Sequence, residues 1–189
     1  MRQEECLVWD MSELGKIHPE VAPPQKIRTV PHEAWQASSF PIPKGLLRIV
    51  IEMLQSYVKA GVLEYCDGPY RNPWFLVKKK CGKYRIVNAA MNANQYTIRD
   101  ANLPPSVEEF AERSAGMAVA SLVDFYSGYN QVELHPESRD MTAFQTPLGL
   151  LRQTRLPQGA TNSVSQFWRI VCRILERNHE DEEAYFNDI

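Results

Sequence analysis

The sequence predicts an α+β fold, and three observations carry that expectation. Two long segments, 46–58 and 164–175, repeat apolar residues at helical spacing. Two pairs of short apolar runs flank tight turns, one at Cys81-Gly82 and one at Pro147-Leu148-Gly149. Strands and helices also mix without strict β-α-β alternation, which disfavours a doubly wound parallel sheet. A mixed or antiparallel sheet packed on helices follows.

Residues 1–43 contain Pro19, Pro23, Pro24, Pro31, Pro41 and Pro43. Prolines at that density forbid long helices and interrupt sheets, so an extended arm or linker is expected. A helical turn is expected at most over "HEAW", His32–Trp35. From Lys44 the pattern changes: Leu46, Val50, Met53, Leu54, Tyr57 and Val58 define one helical face, closed by Gly61. "NPWFLVKKK" and "KYRIVN" predict a hairpin. Ser106 and Glu109 form an S-x-x-E capping box behind Pro104-Pro105, starting a helix that runs towards Gly116. "AVASLVDF" predicts a buried strand ending in Asp124. "MTAFQT" and "LLRQTR" predict a second hairpin. Val164, Phe167, Trp168, Val171, Ile174 and Leu175 mark a second long helix, followed by an acidic loop and a terminal strand, "YFNDI".

Composition narrows the function classes. The 189 residues are 44% apolar and 23% charged, enough to bury a core in one domain, or one with a small appendage. A formal charge of −2 means that any polyanion-binding surface must be local. Cys6, Cys66, Cys81 and Cys172 lie far apart, without metal-ligand spacing, and read as reduced intracellular thiols. No apolar run approaches a membrane span and no signal-peptide layout opens the chain, which leaves cytoplasm or nucleus as the expected compartment.

Three segments carry candidate chemistry, and the residues alone leave two readings open for each. An unpaired buried carboxylate costs several kcal/mol, about 2–7 by transfer scales for polar groups and more for a charge. Asp124 is therefore either a strand-end residue reaching solvent or a ligand for Mg²⁺, which takes hard oxygen donors. Asp188, on another short apolar strand, is its potential partner. Two such carboxylates can hold two cations about 3.5–4 Å apart for in-line phosphoryl chemistry. Lys78, Lys79, Lys80, Lys83 and Arg85 are either a solvated hairpin or a cationic clamp for phosphates. Leu156–Gly159, "LPQG", is either plain helix capping or a loop whose amides and Gln158 meet a ligand.

In combination, "SLVDFYSGYNQVEL", "MTAFQTPLGLLRQTRLPQGATNSVSQF" and "YFNDI" closely resemble reverse transcriptases of gypsy-type long-terminal-repeat retrotransposons. "NAAMNANQYTIRDANLPP" fits a fungal-looking branch of them. The resemblance runs from about Lys44 to the end. It implies a right-hand polymerase: a Pro-rich arm over 1–43, fingers with the start of the palm over 44–115, and palm over 116–189. The chain would end inside the motif usually written Tyr-x-Asp-Asp, with no thumb.

The resemblance also implies roles. Asp124 matches the first metal-binding carboxylate, with the Phe125 carbonyl beside it, and Asp188 matches the second of the Asp-Asp pair. Arg85 and Lys79 match fingers residues that hold the incoming triphosphate. Phe125 and Tyr126 flank that nucleotide, and Tyr129 matches the aromatic that excludes a ribose 2′-hydroxyl. Gln158 and Gly159 match the loop lining the nucleotide and template pocket. The implied cofactor is Mg²⁺ or Mn²⁺. The implied partners are RNA template, DNA primer, deoxynucleoside triphosphates and the remaining polyprotein, with no membrane.

One position departs from the pattern. Asn187 stands where the first member of the Asp-Asp pair belongs. An amide keeps one carbonyl oxygen but loses a full charge. At about 4 Å and an effective dielectric near 20, a dication forfeits roughly 8 kcal/mol of gross attraction. Half of that corresponds to about a thousandfold in rate. The expectation is a polymerase fragment with a crippled site, or else a non-enzymatic retroelement remnant that at most binds nucleic acid.

Overall fold

The computed structural model describes residues 13–80, 82–119 and 124–175. Helix α1 spans Leu47–Lys59 and buries Val50 and Leu54. It stops where predicted: the Ala60 N–H returns to the Ser56 carbonyl, and Gly61 takes a left-handed φ of +66°. The chain then enters β1, Leu63–Tyr65.

Two antiparallel sheets follow. Strands β2 (Trp74–Lys78) and β3 (Tyr84–Asn88) pair from Trp74↔Asn88 to Lys78↔Tyr84, turning through Gly82 at a φ of +82°. Strands β4 (Phe144–Thr146) and β5 (Gly149–Gln153) form the second predicted hairpin, and β1 adds to it in the order β1-β5-β4. Val50, Leu54, Leu63, Trp74, Phe144 and Leu151 meet between α1 and these sheets as one core. Arg139 and Arg152 both pair with Glu64, and they extend to Glu133 and Asp140, which ties β1 and β5 to the segment before β4.

The second long helix, α5, spans Ser163–Leu175. Its Phe167, Ile170 and Val171 pack on Ala22, Val132 and Leu156 as a separate core. Helix α3 (Val107–Ser114) carries the predicted reciprocal capping box between Ser106 and Glu109. Two short helices were not foreseen: α2 over Met91–Tyr96 and α4 over Pro136–Arg139, the latter with proline in its first turn.

One expectation needs correction. "HEAW" is not helical, because its backbone groups are spent elsewhere: the Trp35 carbonyl accepts from the Arg71 N–H and Ala37 N–H donates back to Arg71. Its rings are held as well, His32 stacked on Tyr96 at 4.8 Å and Trp35 Nε1 donating to Asn72 Oδ1 at 2.8 Å. For "AVASLVDF", the described ends 118–119 and 124–125 are exposed, Val119 by 82%, and the stretch between them on which the expected strand rests lies outside the described residues. Residues 120–123 lie outside the described residues, as do 176–189 with the acidic loop and "YFNDI".

Residues 13–43 are laid along the body rather than trailing from it. Bridges join Gln25 to Leu134, Thr29 to Thr97 and Gln36 to Arg71. Ala22 and Ile27 are buried.

Candidate nucleotide-binding and catalytic site

The turn after Asp124 is organised around one ring. Phe167 of α5 is 4% exposed. Phe125 meets it edge-on at 5.7 Å and Tyr129 stacks on it at 5.1 Å. Offset and edge-on aromatic pairs each contribute about 0.5–1.5 kcal/mol beyond burial. Gly128 permits this approach, since a Cβ there would stand 2.6 Å from Phe167 Cζ and 3.1 Å from Phe125 Cβ. Ser127 adopts a left-handed φ of +51°, and Gln131 Nε2 donates to the Tyr126 carbonyl at 2.8 Å. Asp124, Phe125 and Tyr126 are thereby presented at the surface.

Tyr57 of α1 links this turn to the basic hairpin. Burial pushes its hydroxyl above the usual tyrosine range, neighbouring Tyr126 pushes it further, and the Arg85 guanidinium opposes both. Arg85 is half-buried on β3, and its Nε is enclosed without a hydrogen bond. Lys78, Lys79, Lys80 and Lys83 are exposed, and among the described residues none of them forms an ion pair. The Lys79 N–H donates to the Lys83 carbonyl at 2.7 Å, which keeps the hairpin tip narrow.

The third part is the loop from Leu156 to Asn162. Leu156, Ala160, Asn162 and Ser163 are buried, whereas Gln158 and Gly159 stand out. Gly159 has a φ of +92°, a conformation that favours glycine. Ser163 Oγ donates to the Pro157 carbonyl at 2.6 Å and fastens the loop to the start of α5.

The structure thus holds Phe125 and Tyr129 on Phe167, and Arg85 and Tyr126 both act electrostatically on Tyr57. Asp188 and Asn187 lie outside the described residues. Among the described residues no three His, Cys, Asp or Glu side chains gather to hold a metal. Asp124 supplies one exposed hard oxygen donor, the type of ligand a magnesium ion takes. Phe167 and Tyr57 appeared in the sequence only as members of apolar helix faces. Their contacts with the site span too many residues for any local pattern to signal.

Residues 76–187, more than half of the chain, match the family described as "Reverse transcriptase (RNA-dependent DNA polymerase)". The retrovirus-related Pol polyprotein from transposon 297 of Drosophila melanogaster is 29% identical over 131 residues, covering 67% of this chain and 12% of its own length. The corresponding polyprotein from the Drosophila melanogaster transposon gypsy is 28% identical over 155 residues, covering 79% and 15%. The enzymatic polyprotein of Cestrum yellow leaf curling virus is 30% identical over 186 residues, covering 94% and 27%. The chain therefore spans no more than about a quarter of these relatives' length. The native prototype foamy virus protease-reverse transcriptase superposes with a TM-score of 0.68 at 24% identity, over 82% of this chain and 21% of its own. The foamy viral enzyme in complex with an RNA/DNA hybrid gives 0.70 at 19%, over 89% and 23%. At such identities the likeness establishes the shared fold.

Proposed function

Because the chain belongs to the reverse transcriptase family, we propose that it is the fingers and partial palm of an RNA-directed DNA polymerase from a gypsy-type long-terminal-repeat element, in a fungal-looking branch, with its catalytic centre weakened at Asn187. The domain division proposed is arm to 43, fingers with the start of the palm over 44–115, and palm from 116. The partners are an RNA template, a DNA primer, deoxynucleoside triphosphates and the rest of the polyprotein.

The observation that carries this reading is the aromatic setting just after Asp124: Phe167 holds Phe125 and Tyr129, while the charges of Tyr126 and Arg85 both act on the Tyr57 hydroxyl. In that arrangement Lys79 supplies a mobile point charge and Arg85 a fork for the triphosphate. Tyr129, with its ring stacked and unable to retreat, excludes a ribose 2′-hydroxyl. Gln158 and Gly159 line the nucleotide from the other side. Asp124, the Phe125 carbonyl and Asp188 are the donors that would hold Mg²⁺ or Mn²⁺, which supplies charge against the negative charge developing in phosphoryl transfer. Asn187 contributes an oxygen without a charge, which favours a polymerase reduced about a thousandfold, by the charge argument above.

Primer extension on an RNA template tests this in the full-length protein. Asn187→Asp is expected to raise metal-dependent synthesis by about a thousandfold over the unaltered protein. Equal activity of the two would refute the weakened centre. Absence of RNA-directed synthesis from both would refute the polymerase reading in favour of a remnant that only binds nucleic acid.

A further inference from the structure

The Gln158–Gly159 loop is held from outside by a side chain that none of the roles above uses. Asn94, in α2, donates from Nδ2 to the Gly159 carbonyl at 3.0 Å and accepts at Oδ1 from the Thr161 N–H at 2.8 Å. One amide thus pairs with both ends of a single loop edge, as a neighbouring strand would. Only Asn and Gln carry a donor and an acceptor side by side on one planar group.

The contact is reciprocated. Asn162, on the loop side, donates to the Ile98 carbonyl at 2.7 Å and accepts from the Asp100 N–H at 3.0 Å. Asn102 and Asp100 then reach α5 through the Ser165 carbonyl and Arg169. Two amides facing in opposite senses therefore join the segment 94–102 to the segment 159–169. Between them the backbone of the loop has little freedom, while its outer face stays open: nothing lies within 4 Å of where a Gly159 Cβ would stand.

We infer that Asn94 is a positioning residue for the incoming nucleotide, setting the height at which Gln158 and Gly159 are presented. The inference rests on the reading of that loop as the nucleotide-lining one. Asn94 touches no substrate; it acts through the Gly159 carbonyl and the Thr161 amide. A loop released from Asn94 keeps its anchors at Leu156 and Ser163 but loses the constraint nearest its tip. Nucleotide binding should suffer.

The test uses the full-length protein carrying Asn187→Asp, with Asn94→Ala and Asn94→Asp added singly. Asn94→Asp keeps the acceptor for Thr161 but sets a carboxylate against the Gly159 carbonyl. For Asn94→Ala, loss of two hydrogen bonds should raise the KM for deoxynucleoside triphosphate about tenfold. Amide hydrogen exchange supplies a readout independent of activity: the Thr161 N–H should lose protection in Asn94→Ala and retain it in Asn94→Asp. Unchanged Thr161 protection in Asn94→Ala overturns the inference. So does lost protection with an unmoved KM. If the Asn187→Asp protein synthesises nothing, the polymerase reading fails by itself, and the exchange pattern still decides whether Asn94 sets the loop.

Discussion

The basic hairpin and the Leu156–Asn162 loop are built in opposite ways. The hairpin carries four exposed lysines at the end of β2 and in the turn before β3, where backbone bonds between Lys79, Gly82 and Lys83 close the tip. The loop carries no charge, yet Asn94 and Ser163 hold three of its backbone groups by name. The hairpin offers attraction with little geometry, because a Lys head is a point charge on a flexible stem. The loop offers geometry with no attraction of its own. A triphosphate pocket needs both, one to draw in the ligand and one to align it.

Substitutions can separate these contributions, beginning with the largest effect. Gly128→Ala would force the Phe167 ring away from the turn after Asp124, since the added Cβ stands 2.6 Å from Phe167 Cζ. Overpacking of this kind costs about 2–3 kcal/mol, to be read as a lowered urea midpoint with an unchanged slope. Next, Lys79→Ala with Arg85→Ala should weaken nucleic-acid or triphosphate binding by about tenfold and flatten the dependence of log K on log salt by about 1.5, leaving the folding midpoint almost unmoved. An unchanged slope in a salt titration would remove the hairpin from the polyanion surface.

Gly159→Ala should cost about 1 kcal/mol of stability from its positive φ alone, there being room for the methyl group. The smallest effect concerns pH. A hydrogen bond from Arg169, and then the Asn102 N–H, hold the Asp100 carboxyl below its ordinary range. Its folded-state value lies below the unfolded one, so this contribution is complete above about pH 4 and is lost as pH falls below that. Asp100→Asn should therefore flatten stability against pH below about pH 4. With Arg169 42% exposed, the amplitude should be only about 0.5 kcal/mol in urea titrations at pH 6 and pH 3.

The same contrast explains what the sequence reveals. The hairpin is legible because its signals are local: five cationic residues close together and a turn glycine between alternating strands. Helices α1 and α5 are legible by periodicity, and α3 by a capping box whose two halves lie three residues apart. The loop motif is visible, but its mooring is not, since Asn94 and Gly159 are 65 residues apart and α2 is too short to show a period. Extended "HEAW" was hidden for the same reason. Its conformation is set by Arg71 and Tyr96, neither of which any local rule would pair with it.

The segment from Ala22 to Ala37 has a consequence for how the protein is made. It emerges from the ribosome ahead of every element it touches, and its partners are strung along the chain: Arg71, then Thr97, then Leu134. Leu134 follows Gln25 by more than a hundred residues. At ~5–20 residues per second of translation, that is roughly 5–20 s during which Ala22 and Ile27 have no core to enter. A segment made early in this stretch of chain is thus among the last to find its partners.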